Sequence, residues 1–241
     1  AVWRALPDAS AHPRFRLAEL RDNRRFAAGL FGIGLLALAV TQLDRIFLAS
    51  LRPLEEMGQY TLALSVSSGL ARLVQPMFNA LYPRFTRLVA RHDNAILGDL
   101  YHLSSQHLAV IVSAVAAVMI MFSRDVLFLW TGDTALAGAV ACPMAMLVAG
   151  TALNGLLNIP IALQLAHGWT RLAMALNAMS LVVGIPYCLW AVDSFGTAGA
   201  AGMYRLANLI SVLIGIPLMH RQLLPGEMRQ WYVQDIMPPV V

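Results

Sequence analysis

The sequence predicts an all-α membrane protein with about six spanning helices. Three observations lead there. Six apolar runs follow one another along the 241 residues, each near the ~20 residues that carry a helix across ~30 Å of hydrocarbon. Only 12% of the residues are charged and 59% are hydrophobic, whereas a soluble domain carries about 25% charge. The arginines sit in the gaps between the runs and favour one side of the membrane.

Residues 1–25 are polar and hold Arg4, Arg14, Arg16, Arg21, Arg24 and Arg25, so they read as a cytoplasmic N-terminal segment. The six-helix transmembrane bundle is expected over 26–219, with spans at about 26–48, 58–81, 103–122, 136–159, 171–192 and 196–219. Residues 220–241 close the chain as a cytoplasmic C-terminal segment. None of the runs shows the ten-residue alternation of a barrel strand. Between the second and third runs, 84–102 is too polar to span. Leu88, Ile96, Leu97 and Leu100 give it one apolar side, so a short helix on the membrane surface is expected. Trp130 and Trp190 are placed at the outer membrane–water interface. Pro143, Pro186 and Pro217 are expected to kink their helices. The run GTAGAAG, 196–202, reads as a small-residue packing face that opens a span. The chain starts without Met and stops at MPPVV, which reads as a piece of a longer polypeptide.

Orientation follows from arginine position. With residue 1 inside, the inner segments hold twelve arginines and the outer loops hold two, Arg52 and Arg124. Both ends are therefore expected on the cytoplasmic side of the inner membrane. All 17 basic residues are arginine, and they form no patch suited to nucleic acid. The two cysteines, Cys142 and Cys188, read as small buried residues, too few for a disulfide or metal framework. His102 and His107 read as interface residues; His92, His167 and His220 read as solvated. No nucleophile–base set, zinc spacing or nucleotide motif is present, so no catalytic residue, metal site or cofactor is assigned.

The chemistry lies in the polar residues within the spans. In span two, Thr61, Ser65, Ser68, Arg72, Gln75 and Asn79 follow at gaps of 4, 3, 4, 3 and 4. That spacing puts all six on one helix face. An arginine at bilayer depth costs roughly 2.5–3.5 kcal/mol on insertion scales and usually marks a cavity or pathway. Pro76 lacks the N–H that would bond the Arg72 carbonyl, so one turn offers a guanidinium and a freed carbonyl. The competing reading is a kink beside a structural arginine. Span one ends with Thr41, Gln42, Asp44 and Arg45. Asp44 is open to pairing with Arg72 or Arg205, to binding a coupling cation, or to snorkelling toward the outer surface. Span four offers Thr151, Asn154 and Asn158; span six offers Arg205, Asn208 and Ser211. Four helices with polar faces fit a bundle around a hydrated cavity. Three in-span arginines against one in-span acid make it cationic and suited to a phosphorylated ligand.

The stretch TQLDRIFLASLRPLEEMGQYTLALSVSSGLARLVQPMFNALYPRF resembles the start of the second half of polysaccharide-export flippases, which include the O-antigen-type lipid-linked oligosaccharide translocases. The matching elements are Gln42, Leu43 and Asp44, then Gly58 and Tyr60, then Pro83 and Arg84. GTAGAAGMYRLANL resembles the family's later glycine–alanine turn, and the resemblance covers about 26–219. It implies one lobe of the two-lobe, alternating-access fold of multidrug/oligosaccharide/polysaccharide exporters, with the first lobe of the polypeptide missing. It implies transport of a polyprenyl-diphosphate-linked glycan across the cytoplasmic membrane. The substrate cavity would be lined by Arg45, Arg72, Gln75, Asn79, Asn154, Asn158, Arg205 and Asn208, with Asp44 as the ion-coupling candidate. The partners would be the bilayer, the lipid-linked glycan and the missing lobe, and not nucleic acid. The alternatives are a cation-coupled multidrug exporter, which would favour acids in the cavity, and a membrane glycan polymerase or ligase, which would need a larger outer loop.

Overall fold

A computed structural model describes residues 17–240; residues 1–16 and Val241 lie outside it, so most of the expected N-terminal segment is not described. Helix α1 spans Leu17–Leu51. A two-residue connection through Pro53 leads to α2, Leu54–Ala90, whose first turn carries Glu55 and Glu56, where acids favour the helix dipole. Helix α3 spans Asn94–Met121 and α4 spans Ser123–Thr131. Helix α5 spans Thr134–Ala166 and α6 spans Arg171–Ile210. A π-helical segment, Ser211–Gly215, joins α6 to α7, Ile216–Leu223. A C-terminal arm follows, built of α8 (Met228–Gln230), a π-helical segment Trp231–Ile236, and α9 (Met237–Val240).

Four stretches are long and apolar enough to cross a membrane: Ala27–Leu51, Asn94–Met121, Thr134–Ala166 and Arg171–Leu223. The chain is an all-α, multi-pass membrane protein. The last stretch holds 53 residues, which as one rod would reach roughly 80 Å. It folds back at Gly196, where φ 56° and ψ −128° leave helical values. Only a residue without Cβ takes that conformation cheaply. The two halves then pack very closely. A Cβ on Gly199 would lie 1.9 Å from the Ala191 carbonyl oxygen, and one on Gly202 would lie 1.9 Å from the Tyr187 hydroxyl. GTAGAAG therefore acts as the packing face its composition suggested.

Helix α5 is the centre of the bundle and packs on α2, α3, α4 and α6. Helix α1 packs along α6, and α1 and α2 touch each other little beyond their shared connection. Two apolar clusters form the interior. One centres on Leu48, Tyr60, Leu70, Leu127 and Met144; the other on Phe85, Tyr101, Leu108, Ile159, Met219 and Trp231.

Several expectations are corrected. There is no separate surface helix over 84–102: α2 runs on to Ala90 and α3 starts at Asn94. Leu81 and Phe85 continue the buried stripe of α2, so the helix has no reason to stop at its first charges. The reversal falls at His92, with φ 56°, and Asp93 caps α3 by accepting from the Ile96 N–H at 3.3 Å. Cys142 is exposed, and only Cys188 is buried. His220, read as solvated, is 1% exposed.

Candidate functional site

Tyr60, Ala63, Val66, Leu70 and Val74 turn one face of α2 into the bundle. The opposite face carries the polar stripe outward. Thr61, Ser65, Arg72, Gln75 and Asn79 are exposed and Ser68 is half-buried. The hydroxyls are satisfied within the helix: Thr61 donates to the Met57 carbonyl, Ser65 to Thr61 and Ser68 to Ser65, each at 2.8 Å. Gln75 donates to Asn79 at 3.2 Å. Among the described residues no carboxylate pairs with Arg72, Arg45 or Arg205, and all three are exposed. Arg52 pairs with Glu56 at 3.1 Å across the start of α2.

Asp44 pairs with none of the arginines. It is 5% exposed. One carboxylate oxygen accepts from the Tyr60 hydroxyl and the other from the Arg45 backbone N–H at 2.8 Å. Both acceptors are thus occupied, and the bond to Tyr60 ties α1 to α2 where the two helices otherwise barely meet. The aspartate of the first motif block and the tyrosine of the second are direct partners.

The remaining expected residues fall into two other places. Asn154 donates to Asn208 at 3.0 Å, Asn208 donates to the Tyr204 carbonyl at 2.8 Å, and Asn158 donates to the Asn154 carbonyl at 2.9 Å. Only the Asn154–Asn208 bond joins α5 to α6; the other two are i,i+4 bonds within their own helices, and of the three amides only Asn208 is buried. Asn154 and Ser211 also border a partly open cavity of about 190 Å³ with Gln164 and Asn177. Arg205 lies in a separate cavity of about 310 Å³, framed by Tyr187, Trp190 and Phe195. The four polar faces therefore do not converge on one of these cavities. Arg72, Gln75 and Asn79 share a surface, Asn154 and Asn208 share a buried contact, and Arg205 stands beside aromatics.

A further polar group was not singled out from the sequence. His102 lies between two carboxylates: its Nδ1 meets Asp235 at 2.5 Å and its Nε2 meets Glu227. Gln106 donates to the other Asp235 oxygen at 2.9 Å, and Asp235 is 0% exposed. The Tyr101 hydroxyl lies 3.3 Å from His220 Nε2. Tyr232 donates to the Val212 carbonyl at 2.5 Å, and burial pushes its phenol up, so it stays a donor at neutral pH. The sequence signal was faint: isolated acids in a polar tail, more than a hundred residues from their partner.

Residues 5–89 match the family model of polysaccharide biosynthesis proteins. The match ends one residue before the end of α2 and takes in Asp44, Tyr60 and the whole polar stripe. The match takes in about the first third of the chain, which is similar to polysaccharide biosynthesis proteins. No curated protein and no solved structure matched it.

Proposed function

We propose that the chain is one lobe of a transporter that moves a lipid-linked, diphosphate-bearing glycan across the cytoplasmic membrane, with both described ends inside. In this reading α1, α2, α3, α5 and the two arms of the α6–α7 hairpin make six crossings. The observation that carries the proposal is the outward face of α2. A helix buried on one side presents Arg72 on the other, within a ladder of neutral hydrogen-bonding groups and with no described acid beside it. Lipid is a poor neighbour for that face. A phosphorylated, hydroxyl-rich ligand passing between this face and a second lobe would supply what it lacks. The match of the same two helices to polysaccharide biosynthesis proteins is consistent with a glycan substrate.

Arg45 and Arg205 are proposed as further cationic contacts, with Gln75 and Asn79 meeting sugar hydroxyls. Asn154 and Asn208 are better suited to holding α5 against α6 than to binding substrate, and Asn158, bonded within α5, stays a proposed cavity residue. Asp44 remains the candidate for ion coupling only if its bond to Tyr60 opens during the cycle.

The test is Arg72→Ala in the complete protein. Surface glycan export should be lost while the amount inserted in the membrane stays unchanged. Binding of a polyprenyl-diphosphate glycan should weaken, and binding of a cationic drug should not. Normal export by a well-expressed variant would overturn the role of Arg72. Preferred binding of the drug would favour the multidrug alternative.

A further inference from the structure

The C-terminal arm is attached to the bundle by a charged cluster that the transport reading does not use. With both of its carboxylates ionised, geometry fixes the protonation of its histidine. Ionised carboxylates only accept hydrogen bonds, so an imidazole that meets one on each nitrogen must donate from both and is therefore an imidazolium. His102 is in that position, on the first turns of α3, between Asp235 and Glu227. Aromatic packing closes the site: Trp231 lies 6.0 Å from His220 between ring centroids, and Tyr101 lies 5.2 Å from His102.

We infer that His102, Asp235 and Glu227 form a proton-binding site that clasps the C-terminal arm to α3, docked while the shared proton is held and released when it leaves. A neutral imidazole has one N–H and one lone pair. After deprotonation one carboxylate would face that lone pair, and the arm would lose both a hydrogen bond and a charge pair. The groups around the site are Tyr101 and Gln106 from α3, His220 from α7, and Glu227, Tyr232 and Asp235 from the arm and its approach. None of these is an arginine or lysine able to replace the imidazolium. Docking is favoured by protonation of His102, so it is complete on the acid side of the histidine titration and weakens as pH rises through it.

The ligand here is the proton itself, and the inference stands whether or not the chain moves a glycan. Hydrogen exchange of residues 228–236, read in the full chain in lipid nanodiscs and corrected for intrinsic rates, tests it. Protection should fall by about tenfold or more between about pH 6 and about pH 9. His102→Arg, which keeps the charge and the two-sided donors, should hold the arm at both values. His102→Gln should leave it open at both. A wild-type profile flat with pH, or full protection in His102→Gln, would overturn the clasp. If His102→Gln does not insert, His102→Arg still decides, because pH dependence retained in that variant would place the titrating group elsewhere.

Discussion

The outward face of α2 and the contact between α3 and the C-terminal arm both place charge at or near a membrane helix, and they treat it in opposite ways. On α2 the arginine is exposed and its neighbours are neutral groups already bonded along the helix. Under the arm, the histidine is buried and both ring nitrogens are engaged. The difference separates two uses of polarity. A paired, buried ion set specifies which segments dock, and removing one member is expensive because it strands the other. An unpaired charge on a helix face does little for the fold, so its place there has to be explained by what it meets.

The largest effect should come from Asp235→Ala. It strands His102 beside one acid and leaves Gln106 without its acceptor, at a cost of about 3–5 kcal/mol. A thermal unfolding midpoint close to wild type in lipid would count against the cluster as a structural element. Tyr60→Phe comes next. It keeps the ring and leaves one Asp44 oxygen unbonded in the interior, which costs roughly 1–3 kcal/mol. Chemical denaturation of the purified chain should show it, and no change would mean that Asp44 finds another donor. Gln75→Ala and Asn79→Ala should each move stability by less than about 0.5 kcal/mol while lowering glycan binding several-fold. Unaltered binding in both would reduce the stripe to Arg72 alone. The sharpest contrast comes from paired readouts: stability and arm docking should respond to Asp235 and not to Arg72, and export to Arg72.

The parts of the molecule legible in the sequence are those set by local periodicity. The apolar runs became helices, and the 3–4 spacing from Thr61 to Asn79 correctly placed those residues on one face, because a helix fixes direction from spacing alone. The small-residue run at 196–202 signalled tight packing for the same reason. What sequence spacing could not reveal is which helix each face meets. Asn154 and Asn208 read separately as cavity residues, and spacing could not show that they bond to each other across α5 and α6. Asp44 was open to an arginine, a cation or the outer surface, and spacing did not show that Tyr60, sixteen residues on, bonds it. The His102 cluster depends on contacts with residues 125 and 133 positions away, which no local pattern encodes. The misplaced surface helix over 84–102 has a different cause: charge was read as an end to the helix, while the buried stripe through Leu81 and Phe85 carried it onward.

The turn at Gly196 has a mechanical consequence. A Cβ there would lie 2.6 Å from the Glu56 carboxylate and 2.8 Å from the Arg52 guanidinium, so the tip of the hairpin rests on the joint between α1 and α2. The two arms below it are held backbone to backbone at Gly199 and Ala191 and have no room to slide. The hairpin is therefore a stiff unit capped at the α1–α2 joint, with α1 packed along it. It packs on α5 far more broadly than α1 meets α2, and across that thin α1–α2 seam one tyrosine–aspartate bond ties the two helices.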